Sequence, residues 1–325
     1  MRYGSLDVLT KCVDRVQADR DFSRTLDPAM LEHARRLAAA QDDEQPDIQI
    51  LSLLGVFHLY RFLALGEKSP DEMEIVVKAF ARCLIYGDEP LPQRIVSHVL
   101  DEAMGLAIGL LRRVAESDDP FLTDQAVDAW RRIKAVTPAD HPDRAMTLNN
   151  LRVALMLRFG DTVEMADLEE AVALGRQAVQ AVSADDPGRA GYLIYLGDML
   201  QMWSREAEEP AYLEEAIPFW EQGLQILPSD DPDRAMPLAD LGHTLLQRAI
   251  RTESSEDLDR CIALWREAVH LIPADHPDRV QRLSNLAAAL QARYDLAGAP
   301  ADREEAIAVR EQATQAAEDM RESDF

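Results

Sequence analysis

Leucines recur along this chain in clusters, and each cluster returns after 45 residues. Leu148, Leu151 and Leu155 are followed by Leu193, Leu196 and Leu200, then Leu238, Leu241 and Leu245, then Leu283, Leu286 and Leu290. Intervals of three and four place each trio on one stripe of a helix, with polar residues on the remaining faces. A second apolar pattern follows each stripe after a polar loop. It starts near Leu168, Leu213 and Leu258, continues through Ala171, Ala216, Cys261 and Ala306, and passes Ala178, Gly223, Ala268 and Ala313. In two copies it ends at a proline, Pro228 or Pro273. Each period therefore predicts helix, loop, helix and turn, and a period in this range means stacked units, each packing on its neighbours.

One phrase keeps the register. It reads DHPDR at Asp140 to Arg144, DDPGR at Asp185 to Arg189, DDPDR at Asp230 to Arg234 and DHPDR at Asp275 to Arg279. An Asp or His ahead of a proline predicts a capped helix start with proline at the first helical position. The unit continues upstream at lower fidelity. Leu106 and Leu110 fall on the leucine stripe, and Ala126, Trp130 and Pro138 on the second helix. Earlier still, Leu51, Leu54, Gly55, Leu59 and Arg61 match Leu238, Leu241, Gly242, Leu246 and Arg248, while Ile75, Ala81 and Pro90 match Ile262, Ala268 and Pro277. The interval from Pro90 to Pro142 is 52 residues, which predicts a seven-residue insertion lengthening one helix. The expected organisation is an atypical capping pair at 1–46, two divergent repeats at 47–141 with the insertion near 90–103, and four regular repeats at 142–325. The last of these, polar in its final helix, acts as the C-terminal cap.

These residues resemble the tetratricopeptide repeat (TPR), whose signature runs large residue, Leu, Gly, large residue, Ala, aromatic, Ala, Pro. The sixth pair reads Leu238, Leu241, Gly242, Leu245, Cys261, Trp265, Ala268 and Pro273; the fifth reads Leu193, Leu196, Gly197, Leu200, Ala216, Trp220, Gly223 and Pro228. The unit is longer than the usual 34 residues. Its wording, HPDRA before the first helix and DLEEAV before the second, is similar to long repeats of actinobacterial proteins that often end in a CHAT domain, a caspase-like protease fold. The resemblance covers 47–319. It implies an all-α, right-handed α-solenoid of about seven TPR-like helix pairs, a protein or peptide partner, and a CHAT-type protease or another effector among the candidate partners. Trp130, Trp220 and Trp265 then read as packing aromatics, and Gly175, in the same register, predicts a looser joint filled by Trp203 or Tyr192.

Charge narrows the partners. With 34 basic and 59 acidic residues, the net charge is −25, so the basic footprint that nucleic acid requires is missing. Many acids, among them Asp140, Asp143, Asp185, Asp186, Asp230, Asp231, Asp233, Asp275 and Asp278, precede first helices. They predict caps and an acidic ridge alternating with Arg144, Arg189, Arg234 and Arg279. Cys12, Cys83 and Cys261 are isolated and read as small core residues in a reducing compartment. Neither a leader pattern nor an apolar run of membrane-spanning length occurs, so the expectation is a cytoplasmic protein with no membrane partner.

No catalytic motif of the GxSxG, HExxH, Walker or GxGxxG kind appears, and neither a metal set nor a cofactor is expected. The expected function is a non-catalytic scaffold. Its groove would be lined by the outward faces of first helices: Met146, Asn149, Val153 and Met156, then Ile194, Asp198 and Gln201, then Met236, His243 and Leu246. Methionines suit an adaptable apolar groove for a peptide, a helix or an effector domain. The Lys, Asn and Arg clamp by which family members hold acidic tails is absent. Two other readings stay open: a small-molecule or enzymatic pocket near Tyr195, Asp198 and His243, and a structural homodimer.

Overall fold

The computed structural model describes residues 2–42, 45–87, 91–117 and 119–323, and among them there are fourteen α-helices and no strand. The helices run α1 Arg2–Asp19, α2 Pro28–Ala38, α3 Ile48–Ala64, α4 Pro70–Tyr86, α5 Val96–Ala115, α6 Pro120–Val136 and α7 Arg144–Thr162. They continue with α8 Met165–Ala181, α9 Arg189–Glu206, α10 Ala211–Ile226, α11 Ala235–Thr252, α12 Ser255–His270, α13 Arg279–Ala297 and α14 Pro300–Ser323. The fold is an all-α array of helix pairs, in two compact units, Met1–Asp167 and Leu168–Phe325.

In the first unit, α1, α2 and α3 close a core around Leu9, Val13, Leu37, Ile50, Leu54 and Phe57. Next to it lies a buried ionic network. Glu72 on α4 accepts from Arg61 Nε at 2.8 Å and sits 2.5 Å from His58 Nδ1, both on α3. Arg61 also donates to the carbonyl of Thr25 in the turn before α2. Burial pushes Glu72 up, but the bonds from His58 and Arg61 outweigh it, and its carboxyl titrates below the usual range. The helix expected to be lengthened by an insertion is not: α5 has 20 residues against 19 in α7. The extra residues lie ahead of it, where Pro92 opens a 3-10 turn, Gln93–Ile95; Pro90 lies outside the described residues.

The second unit shows why the signature residues recur. Leu193, Leu196, Leu200, Leu238, Leu241 and Leu245 are all at most 2 % exposed, and each contributes about 1.5–3 kcal/mol by leaving water. Trp220 and Trp265 are 0 % and 2 % exposed, and each ring lies on the glycine of the partner helix. A Cβ on Gly197 would meet Trp220 Nε1 at 2.5 Å, and one on Gly242 would meet Trp265 Nε1 at 2.9 Å. The glycine is thus the space the indole occupies. Gly175 on α8 is not a loose joint: Met199 fills it, its methyl 2.6 Å from where a Cβ would stand. Trp203, one of the expected fillers, instead packs against Tyr212 in a tilted arrangement with ring centroids 5.2 Å apart.

The recurring phrase supplies the expected cap, and in the sixth pair Pro232 opens a 3-10 turn, Pro232–Arg234, capped by Asp231; what differs is where the α-helix starts. The phrase's proline precedes the α-helix, which begins at Arg144, Arg189, Ala235 or Arg279. The residue before the proline caps the turn. His141 and His276 accept through Nδ1 from the N–H two residues on, and Asp186 and Asp231 do so through Oδ1. The arginine reaches back, its NH1 donating to two carbonyls at the end of the preceding helix. Arg144 holds Lys134 and Thr137, Arg189 holds Val179 and Val182, Arg234 holds Leu224 and Leu227, and Arg279 holds Val269 and Ile272. The four arginines therefore satisfy orphan carbonyls at helix C-termini and do not simply alternate with aspartates in a ridge. Arg234 also pairs with a carboxylate, Glu267, at 2.6 Å.

A second arginine clamps three of the four regular pairs. Arg158, Arg248 and Arg293 make two bonds each, of 2.6–2.9 Å, to Asp167, Asp257 and Asp302 in the first turn of the following helix. Each also reaches an acid 34 residues back: Asp124, Glu214 or Asp259. In the fifth pair the same two positions hold Trp203 and Tyr212, so a ring contact stands where the others have an ion pair.

Candidate binding trough

Along the second unit the first helices α9, α11 and α13 lie side by side, and their outward faces border a trough of about 460 Å³. The leucine stripes face the second helices, so the residues left to line the trough are those out of phase with the stripe. Asp198, Gln201 and Met202 come from α9, Met236, Asp240 and His243 from α11, and Gln281, Arg282 and Asn285 from α13. A second depression of about 570 Å³ shares Asp198, Met236, Asp278 and Arg282 with it and extends past Ile194 and Tyr195. Met236 is 61 % exposed and Tyr195 47 %, so apolar surface lies open at the mouth.

The polar groups are unevenly satisfied. Asp198 accepts from Trp220 Nε1 at 2.9 Å. The matching indole of the next pair, Trp265 Nε1, is buried without a partner; where Asp198 stands in the fifth pair, the sixth has His243, whose Nε2 lies 2.8 Å from Gln247. Asp240 takes a bond of 3.3 Å from Gln201, and burial pushes its carboxyl above the usual range against that bond and the nearby His243 and Arg282. Arg282, 6 % exposed, donates to the carbonyls of Ala235 and Ala268 and to Asp278 Oδ2.

Six of the ten sequence-derived groove residues are in the second unit. Asp198, Gln201, Met236 and His243 line the trough and Ile194 its extension, while Leu246 lines neither. Met146, Asn149, Val153 and Met156 lie half-buried on α7 of the first unit, where Asn149 accepts from Arg152. Tyr195 borders the extension and His243 the trough, with Asp198 common to both. Asp240, Asn285 and Arg282 were not anticipated. A signal for the first two was present: the position just before the second stripe leucine reads Asn150, Tyr195, Asp240 and Asn285, polar in all four regular copies.

Cys12, Cys83 and Cys261 are buried and not in disulfides, and burial pushes Cys261 up to about 12, which keeps it protonated and unreactive. Among the described residues no helix is long and apolar enough to cross a membrane, and no group of three or more His, Cys, Asp or Glu is arranged to hold a metal.

No family model matches the chain, and no curated relative matches it. Solved structures are similar in part. A crystal structure of nearly identical TPR-like repeats from a Podosopora anserina putative kinesin light chain is 20% identical, covering 70% of this chain and 97% of that one, with a TM-score of 0.45. MamA is 17% identical over 62% of this chain and 92% of its own, with a TM-score of 0.42. The de novo designed helical repeat protein DHR64 is 17% identical over 85% and 95%, with a TM-score of 0.21.

Proposed function

We propose that this chain is a non-catalytic interaction scaffold and that the trough of α9, α11 and α13 is where it receives a segment of a partner protein. The observation that carries this reading is an open face bordered by three parallel helices, with exposed Met236 beside half-buried Asp198, Gln201 and Asp240. An extended peptide needs a long, open surface with apolar contacts and a few polar groups to fix its register. An enzyme acting on a small molecule would instead bury its substrate in an enclosed pocket where acid, base and nucleophile converge. The raised Asp240, the tied His243 and the protonated Cys261 do not form such a set.

Capture from native cell extract tests this. Wild type is compared with a Met236→Arg/Gln281→Arg variant, both positions being exposed, after circular dichroism shows equal helicity. A protein retained by wild type and lost by the variant is the expected outcome; equal retention by both would place binding on another face.

A further inference from the structure

The fifth and sixth pairs build the same indole-on-glycine contact but end it differently. In the fifth, the Trp220 N–H ends on the Asp198 carboxylate. In the sixth, the residue after the glycine is His243, whose imidazole meets Gln247, and the buried Trp265 N–H has no acceptor. A buried N–H without a partner costs about 1–3 kcal/mol. Asp240, which lines the same trough, is a carboxylate held by one long amide bond from Gln201, while the guanidinium of Arg282 is engaged by two carbonyls and by Asp278. The trough thus offers one unmet donor and one undercompensated negative charge, and the flexible side chains of Met202 and Met236 line it as well.

Resting on the groove reading above, we propose that the trough takes a basic side chain, Lys or Arg, from an extended segment of the partner. Its cation pairs with Asp240, its methylene stem lies on Met236 and Met202, and a backbone carbonyl of the segment accepts the Trp265 N–H. Long basic side chains are suited to this, since they lay an apolar stem along apolar surface and carry the charge at the tip. The acidity of the whole chain, net −25, draws basic segments toward it. A free polyamine meets the carboxylate but brings no acceptor for the indole, which favours a peptide.

The test uses the full chain and four hexapeptide pools that differ only in a fixed central residue: Lys, Arg, norleucine or Glu. The Lys and Arg pools are expected to be retained roughly tenfold or more over norleucine, the worth of one charge-assisted hydrogen bond. That preference is expected to vanish in Asp240→Asn and in Met236→Lys, the second at an exposed site that leaves the fold intact, and Trp265→Phe is expected to abolish the fluorescence change on binding. Equal retention of the norleucine and Lys pools, lost in Met236→Lys, would overturn the cation while leaving the groove. Retention of no pool would overturn both. Spermidine binding as tightly as the Lys pool, or a preference for Glu, would also refute the proposal.

Discussion

Asp240 carries a cost that its surroundings do not remove. Gln201 from α9, His243 on its own helix and Arg282 from α13 face it, yet burial still holds its carboxyl above the usual range. A carboxyl raised in the folded state favours the fold while protonated and loses that advantage as pH rises through its folded value. Asp240→Asn is therefore expected to unfold at higher urea than wild type at pH 7, with the gap closing below about pH 4, the unfolded value of an aspartate. Wild type more stable than the variant at pH 7 would show the carboxylate to be structural. Arg279 is the opposite kind of residue. Replacing it by Met removes two bonds to the carbonyls of Val269 and Ile272 and is expected to cost about 1–2 kcal/mol in a denaturant melt. The recurrence of this arginine was plain in the sequence, but its role was not, because its partners are backbone atoms that leave no sequence pattern.

At the scale of the element, helix pairing was legible and the means of pairing only partly so. The leucine stripe could be read because it recurs every 45 residues and apolar burial follows helical period; the glycine under the tryptophan is shared by only two pairs, Gly197 with Trp220 and Gly242 with Trp265. The arginine-to-aspartate clamp joins residues nine apart on different helices, as in Arg248 and Asp257, a spacing that belongs to the connecting loop and to no helical repeat. The fifth pair exposes the logic, since both partners change together, to Trp203 and Tyr212. Trp203→Arg and Tyr212→Asp are each expected to destabilise alone, Tyr212→Asp by burying a charge without a partner, and to recover in combination. A double-mutant cycle reads this as a coupling of about 1 kcal/mol or more. Additive losses would mean that the two positions act independently. Acid–base pairs between successive second helices alternate in sign, Arg176 to Glu215, Glu221 to Arg260 and Arg266 to Glu305. They are half-exposed, so each is worth a few tenths of a kcal/mol, and their alternation disfavours slipping the register by one unit.

For the whole molecule, stability in a repeat array is a sum over units and their interfaces, and three or more units are needed to bury a continuous core. The segment 182–325 carries three complete pairs, α9 to α14, together with every residue that lines the trough. Expressed alone, it is expected to be helical and to melt cooperatively, at a lower temperature than the full chain; a featureless melt would show that the second unit depends on more than its own pairs. The trough itself was only half visible in the sequence. Outward positions on first helices could be counted, which found Asp198, Gln201, Met236 and His243. The flanking row of Asp240 and Asn285 was passed over, because its polarity matches an ordinary solvent-facing edge until neighbouring helices partly bury it.

The most direct test of the trough as the binding face is a photo-crosslinking scan in native cell extract. Benzoylphenylalanine replaces Met236 or Gln281 in the trough, and Gln225 or Ala263 on the second-helix face, which are also exposed. Adducts with one partner from Met236 and Gln281, and none from Gln225 and Ala263, are expected. Adducts from Gln225 and Ala263 alone, or equally from all four, would contradict a binding site on the first helices.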